Sequence, residues 1–194
     1  MKSLIATFGA FVLVCLSSAA HAERSSGPRH ARHNILVGMD SEFAIPLGNY
    51  SDVNSVGLGA VLVGELPLLE MVSATARVGS QGHFDRTIGT GLGAHVNAIP
   101  ILLGAKYYIG GGDRQGLFGA FELGMFDLMS SVEQRVGGNV TTNTSNDVKF
   151  GMGVGLGLSQ ERWNVRMNIH TQDVGNFGSA FVISGGVGYQ FASL

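Results

Sequence analysis

Residues 163–172, WNVRMNIHTQ, alternate apolar and polar side chains. Successive side chains on a strand point to opposite faces, so this pattern predicts a strand with one apolar and one polar face. A sheet of such strands separates two unlike environments. We expect lipid on the apolar side and a packed polar lumen on the other, because of the composition and the strand pattern described below.

The chain begins with Met1 and Lys2, continues without charge from residue 4 to residue 16, and reaches small residues at Ala20 and Ala22. A basic start, an apolar core too short to span a bilayer and a small-residue site predict a secretory signal peptide over 1–22, cleaved after Ala22. Cys15, the single cysteine, would leave with it. The mature chain would then have no disulfide or thiolate metal site.

The composition is unusual for a water-soluble domain. Charged residues make up 13% of the chain and glycine supplies 30 of 194 residues, against typical values of about 25% and about 7%. The formal net charge is −2, which gives no basic footprint for nucleic acid. The mature length suits one domain.

Eight strands follow a polar segment, 23–33, that we expect to be a disordered periplasmic lead-in. His30 and His33 in this segment could suggest a metal pair, but no further ligands lie nearby. We therefore interpret them as part of a flexible tail. Compact turns are predicted at 66–67, 110–116 and 160–162, and longer links at 46–52, 80–95, 129–147 and 173–179, with 129–147 mobile. The predicted strands cover 34–45, 54–65, 69–79, 97–109, 117–128, 148–158, 163–172 and 181–191.

An even strand count with alternating short and long connections is typical of an antiparallel up-and-down transmembrane β-barrel in a bacterial outer membrane. The alternative is a soluble lipocalin-like binder, with the apolar face lining a cavity. The polar face carries few charges, whereas a soluble exterior is about 25–35% charged. Aromatic residues also sort to the strand ends of the apolar face and predict two girdles: Tyr107, Trp163, Tyr189 and Phe191 at one rim, and Phe43, Phe150 and Phe181 at the other.

Candidate chemistry is sparse. Glycines 151, 153, 155 and 157 have a strict spacing of two without a following helix start, which indicates a strand interior rather than a nucleotide loop. His170 lies near Thr171 and Asp173, but Thr171 points to the other face, so no nucleophile–base pair is expected. Glu122 is expected to meet Lys106 or Lys149 in an ion network that fills the lumen; a gate to a narrow pore is the alternative.

By these patterns the chain resembles the OmpA/OmpX-like eight-stranded outer-membrane β-barrel domains. Residues 99–108, IPILLGAKYY, resemble the family's fourth strand, and Val187, Tyr189 and Phe191 resemble its alternating C-terminal strand. The resemblance implies a barrel over 34–191, recognised by the outer-membrane assembly machinery through Tyr189 and Phe191. Residues 192–194 would form a C-terminal overhang beyond the family's usual aromatic end.

We therefore expect a non-enzymatic, monomeric outer-membrane protein that stabilises the envelope or presents a surface, in contact with outer-membrane lipid. A narrow channel and a lipid-modifying enzyme remain alternatives, besides the lipocalin-like binder. The sequence predicts no catalytic, cofactor-binding or metal-binding residue and no cofactor. It does not identify a surface ligand, for which 80–95 and 129–147 are the expected binding regions.

Overall fold

A computed structural model describes residues 34–109, 114–136, 139–177 and 180–194. The predicted signal peptide, 1–22, and the lead-in, 23–33, lie outside the described residues. Among the described residues, no helix is long and apolar enough to cross a bilayer.

Within those ranges the structure contains nine strands, one short α-helix and one 3-10 turn at Val174–Asn176. Eight strands form a ring in the order β3-β2-β1-β9-β8-β7-β6-β5, which the β3–β5 pairing closes, and all the pairings are antiparallel. The ninth, β4, pairs only with β5. The elements are β1 (Leu36–Leu47), α1 (Tyr50–Val53), β2 (Gly57–Pro67), β3 (Val72–His83), β4 (Arg86–Gly89), β5 (Leu92–Ile109), β6 (Gly116–Val136), β7 (Asn139–Gln160), β8 (Trp163–Thr171) and β9 (Phe181–Ser193).

The ring places its apolar face outside and its polar face inside. In β8, Trp163, Val165 and Met167 are exposed, whereas Asn164 and Arg166 are buried. The same alternation runs round the barrel, so the outer surface is an apolar belt of exposed side chains. An apolar exterior is stable against lipid and not against water. The lipocalin-like alternative, with its apolar side inward, is therefore wrong.

The predicted links 80–95 and 129–147 are mostly strand. The β6–β7 ladder runs without interruption from Gly116/Ser159 to Val136/Asn139, and β3, β4 and β5 occupy most of 80–95. The prediction for 129–147 failed because alternation fades where both faces of a sheet are exposed, as at every residue from 139 to 148, although backbone pairing continues. We call the sheet formed by β4 and by the ends of β5–β7 over 92–97, 129–136 and 139–147 the tip sheet.

Two details at the short-turn end of the predicted barrel also changed. Leu66 and Pro67 continue β2 opposite Ala74 and Ser73, so the turn lies at 68–71 rather than at 66–67, and the N–H groups of residues 68 and 69 donate to the Val72 carbonyl at 2.9 and 3.0 Å. At the C-terminus, residues 192 and 193 pair with β1. Leu194 and Ile35 exchange two backbone hydrogen bonds of 2.9 Å. The predicted overhang thus extends β9 beyond Phe191.

The apolar belt predicts a position-dependent cost for an exposed charge. Val154 in the belt and Val136 in the tip sheet are 59% and 64% exposed. Val154→Arg should lower the free energy of unfolding in lipid vesicles by about 2–4 kcal/mol, because the charge enters the hydrocarbon region. Val136→Arg should change it by less than about 0.5 kcal/mol. Urea titration of both variants checks this; equal effects would contradict a lipid-facing belt.

Candidate functional site

The lumen contains an ion network centred on two arginines. Arg77 of β3 contacts Asp40 and Glu122 at 3.1 Å each, and also pairs with Glu42. Arg166 of β8 reaches Glu122 at 2.8 Å and Asp40 at 3.7 Å. All five side chains are at least nine-tenths buried. Strands β1, β3, β6 and β8 are thereby cross-linked through the interior, as expected of buried charges that must be paired.

Glu122 therefore pairs with two arginines, and its predicted pairing with Lys106 or Lys149 is wrong. The residues directly opposite Glu122 are Gly104 on β5 and Gly153 on β7. Glycine leaves the space beside the carboxylate open, so long side chains from across the barrel reach it. The sequence pattern placed Glu122 in the lumen but gave no information on contacts across the ring.

Each predicted lysine partner has a different acid. Lys106 Nζ lies 2.7 Å from Glu65 Oε2, and the Tyr108 hydroxyl donates to the same carboxylate at 2.7 Å. Lys149 lies at the outer end, where it contacts Asp147 at 2.8 Å and Asp173 at 3.6 Å. The lumen network is thus divided along the barrel into a central group and a separate pair nearer the short-turn end.

The glycine row on β7 makes room for side chains from both neighbouring strands. A Cβ at Gly157 or Gly151 would overlap the rings of Phe118 and Phe126 respectively, and one at Gly153 would lie 2.6 Å from the Cβ of His170. The strand-interior interpretation of this row agrees with its position in β7. The bulky neighbours include two phenylalanines as well as polar residues.

The space left in the lumen is small. One cavity of about 20 Å³ lies among Glu42, Arg77, Gln81, Glu122 and His170, and a second of about 10 Å³ lies beside Asp40, Glu65 and Lys106. One water needs roughly 10–15 Å³ on this measure. Each of these two cavities therefore has space for about one water.

His170 is not arranged for catalysis. Its ring stacks on Phe126 at 5.6 Å between centroids, and its Nε2 atom is buried without a hydrogen-bond partner among the described residues. The Thr171 hydroxyl donates to the Asp173 carbonyl at 3.1 Å, while Asp173 Oδ1 accepts from the Asn176 N–H at 3.2 Å. Thr171 and Asp173 thus hold the local turn, and neither hydrogen-bonds to His170.

At the outer mouth, α1 folds over the lumen. Its Tyr50 is buried against an apolar cluster, and its hydroxyl donates to Gln172 Oε1 at 2.7 Å. Burial raises the pKa of the Tyr50 phenol above its ordinary value, so this hydroxyl keeps its proton at physiological pH. The sequence placed Tyr50 in a loop, and a single aromatic residue among polar ones gave no signal of burial.

Six of the seven predicted girdle residues are exposed, whereas Phe181 is half-buried with its ring edge-on to Phe177. Trp163 and Tyr189 pair across β8 and β9 with ring centroids 4.7 Å apart at the short-turn rim. At the outer rim, Phe43 and Phe150 are exposed. Phe84, which the sequence assigned to a loop, is also 59% exposed at the outer end of β3. Amphipathic and aromatic side chains concentrate at membrane interfaces, so Phe84 extends the outer girdle.

A closed antiparallel ring with an apolar exterior and a packed, charged interior defines an eight-stranded transmembrane β-barrel. The chain is similar in structure to Ail, the attachment invasion locus protein of Yersinia pestis: 10% identity, 82% of this chain and 99% of that one covered, and a TM-score of 0.56. It is also similar to the N-terminal β-barrel domain of OprF from Pseudomonas aeruginosa, with 15% identity, coverage of 80% and 97%, and a TM-score of 0.53.

No protein-family model and no curated protein matches the chain. The two structures confirm, at the level of fold, the predicted likeness to OmpA/OmpX-like barrels.

The glycine row predicts a steric effect at Gly157. Gly157→Ala should destabilise the barrel by about 1–3 kcal/mol, because its methyl group would overlap the Phe118 ring and lie 2.6 Å from the Val165 carbonyl oxygen. Gly119→Ala on the adjacent strand is the matched control, since a Cβ there meets nothing within 4 Å. Guanidinium unfolding in detergent measures both. Adding Phe118→Leu to Gly157→Ala should restore part of the lost stability. Equal stability of Gly157→Ala and Gly119→Ala would contradict this packing.

The ion network predicts a large effect at Arg77. Arg77→Met should cost about 3–5 kcal/mol, because it leaves buried carboxylates with too few partners. Adding Glu42→Gln should recover part of that loss by removing one carboxylate. Arg135→Met, which breaks an exposed 3.3 Å pair with Glu133, should change stability by less than about 1 kcal/mol. The unfolding midpoints of the wild type and the three variants at pH 7 measure these effects. Wild-type stability of Arg77→Met would show that the network is dispensable.

Proposed function

We propose that the chain is a non-enzymatic, integral outer-membrane barrel that presents the tip sheet at the cell surface. The observation that carries this proposal is the length of the β6–β7 hairpin. From Leu128/Asp147 to Val136/Asn139 the ladder continues for eight further residue steps, or about 27 Å along the strand. Every residue from 139 to 148 is exposed.

The outer edge of the tip sheet suits recognition of an extended partner chain. Strand β7 pairs with β8 only from Met152 onward, so none of the described strands pairs with residues 139–151 on that side. Charged residues, prolines and β-bulges usually protect a free edge strand from pairing. Residues 139–146 contain none of these. An unprotected edge of this kind offers backbone hydrogen bonds to another strand. We therefore propose that the surface partner binds along this edge of β7.

The remaining expectations complete the same proposal. The chain is exported, cleaved after Ala22, and inserted as a monomer among outer-membrane lipids, with Tyr189 and Phe191 read by the assembly machinery. Support for the membrane location comes from the exposed apolar belt and from the shared fold of Ail and the OprF barrel. A stabilising role in the envelope is compatible with a rigid, cross-linked lumen.

The alternative functions have less support. A channel needs continuous space, whereas the two cavities described above each have space for about one water and are lined by buried, paired charges. A lipid-modifying enzyme needs a nucleophile and a base within reach, whereas His170 is stacked on Phe126 and has no such neighbour among its described contacts.

Cysteine labelling tests which end is outside the cell. The chain has one native cysteine, Cys15, in the predicted signal peptide, so the wild type serves as the unlabelled control. Asn143→Cys in the tip sheet should react with a membrane-impermeant maleimide on intact cells. Glu70→Cys, in the exposed 68–71 turn, should react only after the outer membrane is permeabilised. The reverse pattern, or labelling of both on intact cells, would refute surface presentation of the tip sheet.

A further inference from the structure

The outer mouth of the barrel is a pocket that one side chain of the protein itself fills. The Tyr50 ring is 6% exposed. Its hydroxyl donates to Gln172 Oε1 at 2.7 Å, and Gln172 Nε2 in turn donates to Gln81 Oε1 at 3.0 Å. Apolar walls with a few convergent polar groups are the usual features of a small-molecule site. The walls are formed by Ala44, Val96, Ala180 and Val182.

The segment that carries Tyr50 is a short connection between β1 and β2. Tyr50 is the buried residue of the four-residue helix α1. Gly48 precedes the helix with φ of +57°, a conformation that glycine adopts without strain, and Asn49 makes no side-chain capping bond. Beyond the helix, Asn54 is fully buried and accepts from the Val96 N–H at 2.6 Å. Residues 48–53 therefore form a short strap between two fixed ends.

The pocket also contains a polar group that Tyr50 does not satisfy. His83 is 6% exposed and lies edge-on to the Tyr50 ring, with centroids 5.7 Å apart. Its Nδ1 atom lies 2.8 Å from the Val96 carbonyl oxygen, so Nδ1 carries the hydrogen and Nε2 is an acceptor. Nε2 is buried and has no partner among the described residues. A buried acceptor without a donor is costly, which makes Tyr50 an incomplete match for its own pocket.

We propose that the strap 48–53 is a lid, and that Tyr50 occupies a binding site for a small phenolic molecule. When the lid lifts, such a ligand places its ring against the apolar walls and donates its hydroxyl to Gln172 Oε1. A second donor on the ligand satisfies His83 Nε2. The site lies inside the barrel mouth, apart from the edge of β7 to which the surface partner was assigned, so the two proposals stand or fall separately.

Removing the occupant tests the pocket directly. Tyr50→Ala, purified in detergent with isotope-labelled valine methyls, is titrated with 4-methylphenol while the methyl signals of Val96 and Val182 are followed by NMR. We expect saturable shifts at both. 4-Methylanisole, which cannot donate a hydrogen bond, should bind at least about tenfold more weakly. Adding Gln172→Leu should remove that difference. Val53→Ala, on the exposed side of the same helix, is the matched control and should behave like the wild type. Any shift that it shares with Tyr50→Ala at equal strength reports partitioning of the probe into detergent.

The wild type tests the lid. It should show the same shifts with weaker apparent affinity than Tyr50→Ala, because only the open fraction binds. If Tyr50→Ala fails to fold, Tyr50→Phe takes its place, and loss of the bond to Gln172 should tighten phenol binding relative to the wild type. Three results would overturn the proposal: equal binding of the two probes by Tyr50→Ala, no shift at Val96 and Val182 in it, or no binding by the wild type. With Tyr50→Phe as substitute, affinity no higher than that of the wild type would do the same.

Discussion

The structure depends on one constraint of the bilayer: lipid offers no hydrogen-bond partners and tolerates almost no charge. A closed ring of antiparallel strands pairs the backbone, and alternation then sends every second side chain into a narrow interior. The charged side chains that point into this interior must pair with one another, because the lumen has little space for water. Arg77 and Arg166 do this by sharing Asp40 and Glu122, and Arg77 also pairs with Glu42. These ion pairs join strands on different sides of the lumen.

Glycine is the second part of that solution. An eight-stranded barrel is only just wide enough for side chains, so large residues on one strand require small ones on the next. Gly157 and Gly151 accommodate Phe118 and Phe126, while Gly104 and Gly153 flank Glu122. The high glycine content of the sequence therefore reflects the filling of a confined lumen, and its low charge also reflects the lipid-facing exterior.

The sequence predicted the barrel and its two faces well, because alternation is a local property that survives wherever one face meets lipid. It misjudged residues 129–147, where water lies on both sides and pairing alone maintains the strand. It also missed the partners of Glu122 and the burial of Tyr50, since both depend on which strands face each other across the ring. Local pattern determines the side on which a residue lies; closure of the ring determines what it touches.

Trp163 gives the most direct test of the membrane-spanning barrel, because it is the single tryptophan of the chain and is 57% exposed at the short-turn rim. The protein is reconstituted into vesicles whose lipids carry bromine either near the headgroup or deep in the acyl chain, and tryptophan fluorescence is recorded. Strong quenching by the shallow bromine and weaker quenching by the deep one is the predicted result. Fluorescence unaffected by either lipid would contradict a barrel with its apolar belt in the bilayer.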